Sequence, residues 1–175
     1  DIMTLMWYDN ATQAPVSAMR DYTGTSWNSW DPQLESQPIT AGAMYVLTIS
    51  NSAGRQAIDA SWTVSGTVPN PGEIKFSLSY LSETQAENWI SVPNESGLVT
   101  KGALLNSLAG RLAAQTGDII TLREYNNSTQ ATASAMRDYN GTGWNSWDPV
   151  KEAEPVTLGD AFVFSLSNSQ GRATF

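Results

Sequence analysis

Twice in this chain a pair of tryptophans encloses an asparagine and a serine and is followed by Asp-Pro: Trp27-Asn28-Ser29-Trp30-Asp31-Pro32 and Trp144-Asn145-Ser146-Trp147-Asp148-Pro149. Flat indole faces stack on sugar rings, and amide and carboxylate groups beside them bond to hydroxyls. Trp27, Trp30, Trp144 and Trp147, with Asn28, Asp31 and their counterparts, therefore form a candidate polysaccharide site. The opposing reading is structural: paired tryptophans in a small sheet protein commonly fill a core or a contact between modules.

Catalytic equipment is sparse. Asp21, Asp31, Asp138 and Asp148 recur between the two stretches, and a carboxylate pair is what a glycosidase uses. The chain has no His and no Cys, which removes the commonest general base and the strongest nucleophile. Duplicated half-modules do not usually each keep a whole active site, and Arg20-Asp21 and Arg137-Asp138 read instead as charge pairs that lock a turn. No enzymatic activity, no catalytic residue and no cofactor are expected. For calcium, Asp138-Tyr139-Asn140-Gly141-Thr142 sets oxygen ligands at alternate positions. Thr23 stands in place of Asn140 in the first stretch and no Glu closes the loop, so no metal site is expected.

These motifs belong to a longer repeat. Asp1 to Ile58 returns without a gap as Asp118 to Phe175, with more than half of the positions identical, most densely where Ser17 to Pro32 becomes Ser134 to Pro149. Self-similarity on this scale marks a unit that is stacked or strung with copies of itself. The elements that must position the motifs follow from the pattern inside each copy. Thr4 to Tyr8 is apolar and aromatic, Asp9 to Thr12 is a polar break, and a second extended run continues to Tyr22, which predicts a hairpin. Thr23 to Ser26 and Asn140 to Gly143 are turns, and Asn140-Gly141 is expected to supply positive φ angles. Pro32 and Pro38 bracket an irregular acidic loop. Ala43 to Ser50 and Ala161 to Ser167 lack polar alternation, so both faces of each strand are expected to be covered.

Between the copies, Gly66 to Gly72 collects two prolines and two glycines and reads as a linker, placed at 67–73 between a unit at 1–66 and a unit at 74–175. Ala60 to Ser65 and Ile74 to Leu81 read as strands, as does Asn88 to Val92 before Pro93 stops it. A helix is predicted from Thr100 over about 100–115 because Leu104, Leu105, Leu108 and Leu112 recur at helical spacing. Thr100 suits its N-cap and Gly117 lies past its end. The expected fold is mainly β: two related β-sandwich or barrel-like modules, the second with this one short helix. In that phase the first unit is a truncated copy, lacking what precedes the shared half, and the second ends before a counterpart of Ala60 to Ser65. Sheet edges and apolar surface left open in this way are satisfied by a like unit, either the next repeat of a longer tandem chain, joined covalently, or a neighbouring chain; between chains such a head-to-tail contact propagates as a fibre unless its rotation closes a ring.

Composition narrows the partners. With 175 residues, 41 % of them hydrophobic, the chain can bury a core, and its low charged content of 15 % suits short strands joined by polar turns. A formal charge of −8 repels nucleic-acid backbones and anionic membranes. No apolar run approaches the ~20 residues that span a bilayer, so neither nucleic acid nor membrane insertion is expected. The absence of Cys leaves no disulfide and no thiolate metal site. Few Lys and Arg residues, and sequons at Asn10, Asn94, Asn126, Asn127 and Asn140, favour a secreted or cell-surface glycoprotein. Asn126 and Asn127 overlap and are not expected to be glycosylated together. Asp1 at the start is expected of a processed or cut terminus.

Asn88-Trp89-Ile90-Ser91-Val92-Pro93, the Leu-rich helix, Gly117-Asp118-Ile119, Tyr125, Thr129-Gln130, Gly141-Thr142-Gly143-Trp144 and Leu158-Gly159-Asp160-Ala161-Phe162 follow in that order. Together they resemble an uncharacterised tandem β-rich repeat module of secreted and surface-attached bacterial proteins. The likeness covers most of 74–175 and, in shortened form, 1–66. It implies an extracellular location and tandem use, with no catalytic residue. The function expected is therefore structural: assembly with identical subunits, head to tail, into a filament, fibril or surface layer. A carbohydrate-binding module using the tryptophan pairs, with polysaccharide as partner, is the alternative.

Overall fold

The computed structural model describes residues 1–40, 43–50, 85–92, 99–126, 129, 131–157 and 160–168. The expected linker at 67–73 and the strands expected over Ala60 to Ser65 and Ile74 to Leu81 lie outside the described residues. The first copy contributes β1 (Ile2–Asp9), β2 (Ala14–Tyr22), β3 (Trp27–Ser29), α1 (Pro32–Glu35) and β4 (Tyr45–Ser50). After β5 (Gln85–Ser91) and α2 (Lys101–Ala109), the second copy repeats the same order as β6 (Ile119–Asn126), β7 (Ala131–Tyr139), β8 (Trp144–Ser146), α3 (Pro149–Glu152) and β9 (Ala161–Ser167).

Two open antiparallel sheets result, of order β3-β2-β1-β4 and β5-β9-β6-β7-β8. The expectation of a mainly β protein holds, and the described strands form two sheets, neither of which closes into a barrel. Duplication extends to the register. Leu5 lies opposite Ala18 and Leu47, as Leu122 lies opposite Ala135 and Phe164. The same alternation of side chains across the pleat thus sends the same positions to the same face in both sheets.

Local chemistry fixes the ends of these elements. In each β2–β3 type of turn a glycine takes the left-handed conformation, Gly24 at φ +99° and Gly141 at φ +97°. Asn140 does not share the positive φ; it works through its side chain, whose Oδ1 accepts from the backbone N–H of Thr142 and of Gly143, both at 2.9 Å. Where an irregular acidic loop was expected, one-turn helices form. Asp31 and Asp148 cap them by accepting from Leu34 N at 3.1 Å and Lys151 N at 3.0 Å, and Pro32 and Pro149 start them with the φ a helix needs. The described residues therefore hold three short helices instead of one. α2 is capped by Thr100, whose Oγ1 accepts from Ala103 N at 3.1 Å. It stops at Ala109, short of the expected end, with Gly110 as its C-cap.

The core lies where α2 covers the second sheet. Leu104, Leu105 and Leu108 pack on Ile120, Leu122, Phe162, Phe164 and Leu166, with Ile90 of β5 at the border. β9 is buried along its length, Ser165 included, as expected of a strand without polar alternation. β4 is not: Leu47 and Ile49 remain 43 % and 45 % exposed. The two strands have the same pattern, but among the described residues only β9 has a helix over it and a strand on each side, whereas β4 pairs with β1 alone.

Candidate functional site

Among the described residues the two sheets meet where the β1–β2 hairpin tip abuts β5. As the outer strand of its sheet, β5 bonds to β9 along one side and turns alternate N–H and C=O groups outward on the other, a template for any further strand. Two side-chain amides of the tip take that role. Asn10 Oδ1 accepts from Trp89 N at 2.9 Å and its Nδ2 donates to Trp89 O at 3.3 Å. Gln13 repeats the exchange with Glu87, accepting from its N at 2.8 Å and donating to its O at 2.7 Å. A carboxamide carries one acceptor and two donors, so each amide reproduces the paired bonds of a ladder rung, on residues two apart along the strand.

The tip is shaped for this contact. Asp9 Oδ1 accepts from Ala11 N at 2.9 Å and Thr12 N at 3.3 Å, which folds the loop; a bond from the Thr12 side chain, then these backbone bonds, hold the Asp9 carboxyl below its usual pKa. Gln13 has φ 54°, a left-handed conformation that a non-glycine residue adopts at a cost of about 1–2 kcal/mol. Its Nε2 also donates to the Asn10 backbone carbonyl at 2.8 Å, which fixes the Gln13 amide across the tip. Beside them Tyr8 stacks on Trp89, ring centroids 5.4 Å apart and planes 12° from parallel. Burial, then the charge of Glu87, raises the Tyr8 pKa. Ala43 completes the seam by bridging Ile90.

The structure divides each tryptophan pair. Trp27 packs against Tyr22 at 5.5 Å and Trp144 against Tyr139 at 5.3 Å, and Trp144 also borders the core. Trp30 and Trp147 stay 52 % and 55 % exposed. Their indole N–H groups donate to Asp21 Oδ1 at 2.8 Å and Asp138 Oδ1 at 2.6 Å, which fixes each ring at its edge. The bond from Trp30, then the one from Asn28, lowers the Asp21 pKa.

The turn-locking pairs expected within Arg20-Asp21 and Arg137-Asp138 do not form. Arg20 binds Glu35 at 2.7 Å and Arg137 binds Glu152, because adjacent residues of a strand point to opposite faces. Asp31 and Asp148 are used as helix caps, and Asn140 Oδ1 serves its own turn. No group of acidic side chains suited to a metal ion occurs among the described residues. No described helix is long and apolar enough to cross a membrane.

Of the sequon asparagines, Asn10 is half-buried in the seam with its amide engaged. Asn126 is exposed, and its Oδ1 accepts from Thr129 N at 3.0 Å. Asn140 is exposed, with Nδ2 directed to Asn145 Oδ1 at 3.2 Å. Asn94 and Asn127 lie outside the described residues. Reading the sequence for charge and aromatic clusters missed Gln13 altogether and saw in Asn10 only a sequon. The available signal was recurrence: Asn10, Thr12 and Gln13 return as Asn127, Thr129 and Gln130. Compared with models of known protein families, with curated proteins and with solved structures, the chain matches none.

Proposed function

We propose that this chain is a structural protein, secreted or exposed at a cell surface, that joins with identical units head to tail into a filament or surface layer. The observation that carries this reading is the seam in which the tip of one copy caps the edge strand of the next. Tip and edge are different surfaces, so the contact does not exhaust itself when made. A heterologous contact propagates where a tip at one end meets an open strand edge at the other, and the outer edge of β4 has no partner strand among the described residues. The second copy repeats the tip sequence, and Tyr125, which stands where Tyr8 does, is 46 % exposed. The resemblance to tandem modules of surface-attached proteins agrees with this use. Light scattering and electron microscopy of the purified chain at high concentration test it. Ordered polymers are expected, and Asn127→Ala with Gln130→Ala should shorten them; a monodisperse monomer overturns the reading.

Carbohydrate binding is a second reading, favoured by the exposure of Trp30 and Trp147, each held by an aspartate at its indole N–H. Trp30→Ala with Trp147→Ala then abolishes retention on a polysaccharide column while the circular dichroism spectrum is unchanged. Retention equal to that of the parent chain rejects it.

A further inference from the structure

The second sheet shows what the first sheet is built to receive. In the second sheet, β5 lies along the outer edge of β9 from Ser91 opposite Ala161 to Gln85 opposite Ser167, and α2 then crosses the face. Phe164 and Leu166 are buried by this cover to 0 % and 1 % exposure. Their counterparts Leu47 and Ile49 occupy the same register opposite Leu5 and Met3, and they are the exposed apolar residues of β4. The outer edge of β4 has no partner strand among the described residues.

A polar contact marks the same surface. In the second sheet Arg137, held by Glu152, reaches up to α2, donating from Nη1 to Asn106 Oδ1 at 2.6 Å and from Nη2 to Gly102 O at 3.4 Å. Gly102 sits so close that a Cβ there would lie 3.2 Å from the Glu152 carbonyl oxygen. The first sheet contains the lower half of this device. Arg20 donates from Nε and Nη2 to Glu35 at 3.0 and 2.7 Å, and the Arg20 side chain is 47 % exposed.

We infer that the face and outer edge of the first sheet bind a strand–helix segment of the kind formed by residues 85–109, supplied by another copy of the repeat. Its strand lies antiparallel to β4, its leucines cover Leu5, Leu47 and Ile49, a glycine passes over Glu35, and an asparagine meets Arg20. One contact of the segment is not reproduced. Lys101 is held between Glu124 and Glu154, and the residues at those places in the first copy are Trp7 and Gln37. Neither offers a carboxylate, so a segment of this kind binds the first sheet more tightly with an apolar residue in place of Lys101. The inference rests on the assembly reading only for the origin of the segment; the surface itself is tested without a polymer.

The test adds a labelled synthetic peptide of residues 85–115 to the full chain, as such and with Lys101→Leu, and reads fluorescence anisotropy together with amide exchange. One-to-one binding is expected, with new protection at the β4 amides from Val46 to Ser50 and tighter binding of the Lys101→Leu peptide. Leu47→Asp with Ile49→Asp in the chain should weaken binding at least about tenfold; both positions are exposed, so the chain still folds. As a second arm, the same segment joined through a flexible linker ahead of Asp1 should raise the Tm of the chain. Three results overturn the inference: no binding together with no rise in Tm, protection of β9 instead of β4, or affinity indifferent to the Asp substitutions. A chain that binds the peptide but never polymerises leaves this surface standing and removes the assembly reading.

Discussion

An arginine–glutamate pair built twice from the same repeat is held in two environments. Arg20 and Glu35 meet near water, where an ion pair contributes little. Arg137 and Glu152 are both buried beneath α2, where removing one partner leaves a desolvated charge alone. Glu152→Gln is therefore expected to destabilise the chain by about 3–5 kcal/mol in urea denaturation at pH 7, while Glu35→Gln changes little. Acidity tests the same pair. The bonds from Arg137 outweigh burial and hold the Glu152 carboxyl below its ordinary value of 4.5. A carboxylate depressed by folding contributes stability that is complete above its unfolded pKa and is lost as pH falls through the folded one. The parent chain should thus lose stability steeply below about pH 4.5, and Glu152→Gln should lose it less steeply. Identical acid slopes would rule the pair out as the source. Glu154 is lowered in the same sense by Lys101, then Lys151, so a residual slope remains in the variant. None of this was legible from adjacency: Arg20 and Arg137 each precede an Asp, but the pleat sends that Asp to an indole and the Arg to a helix.

At the scale of elements, what could be read depended on how much of an element's state its own residues determine. The hairpin β1–β2 and the start of α2 at Thr100 were legible because polar breaks and caps are local. The one-turn helices α1 and α3 were not, since four residues show no periodicity; the Asp-Pro start signal was present and went unread in favour of the prolines as loop markers. β4 and β9 expose the limit of pattern. Both are apolar runs, yet Phe164 is sealed and Leu47 is not, and the difference lies in β5 and α2, which belong to neither strand. Asn10 and Gln13 were illegible for a related reason. Two amides standing in for a strand can be recognised only when the edge they face is known, and their recurrence as Asn127 and Gln130 was the single trace in the sequence.

At the scale of the whole molecule, charge and contact chemistry oppose each other, and that opposition can be measured. Every chain carries a formal charge of −8, so chains brought end to end repel at long range. The seam itself uses little net charge: two neutral amides on backbone groups, a stacked Tyr8 and Trp89, and one short bridge at Ala43. Salt screens the first term, with a screening length of ~10 Å at 0.1 M and ~3 Å at 1 M, and leaves the second nearly untouched. Association through such seams should therefore strengthen as ionic strength rises from ~0.01 M to ~0.5 M, seen as growing scattering intensity at constant protein concentration. An assembly joined by ion pairs such as that between Arg123 and Glu87 would do the reverse and dissolve. Scattering that falls with added salt would show that the units are held by charge and not by the tip-to-edge contact.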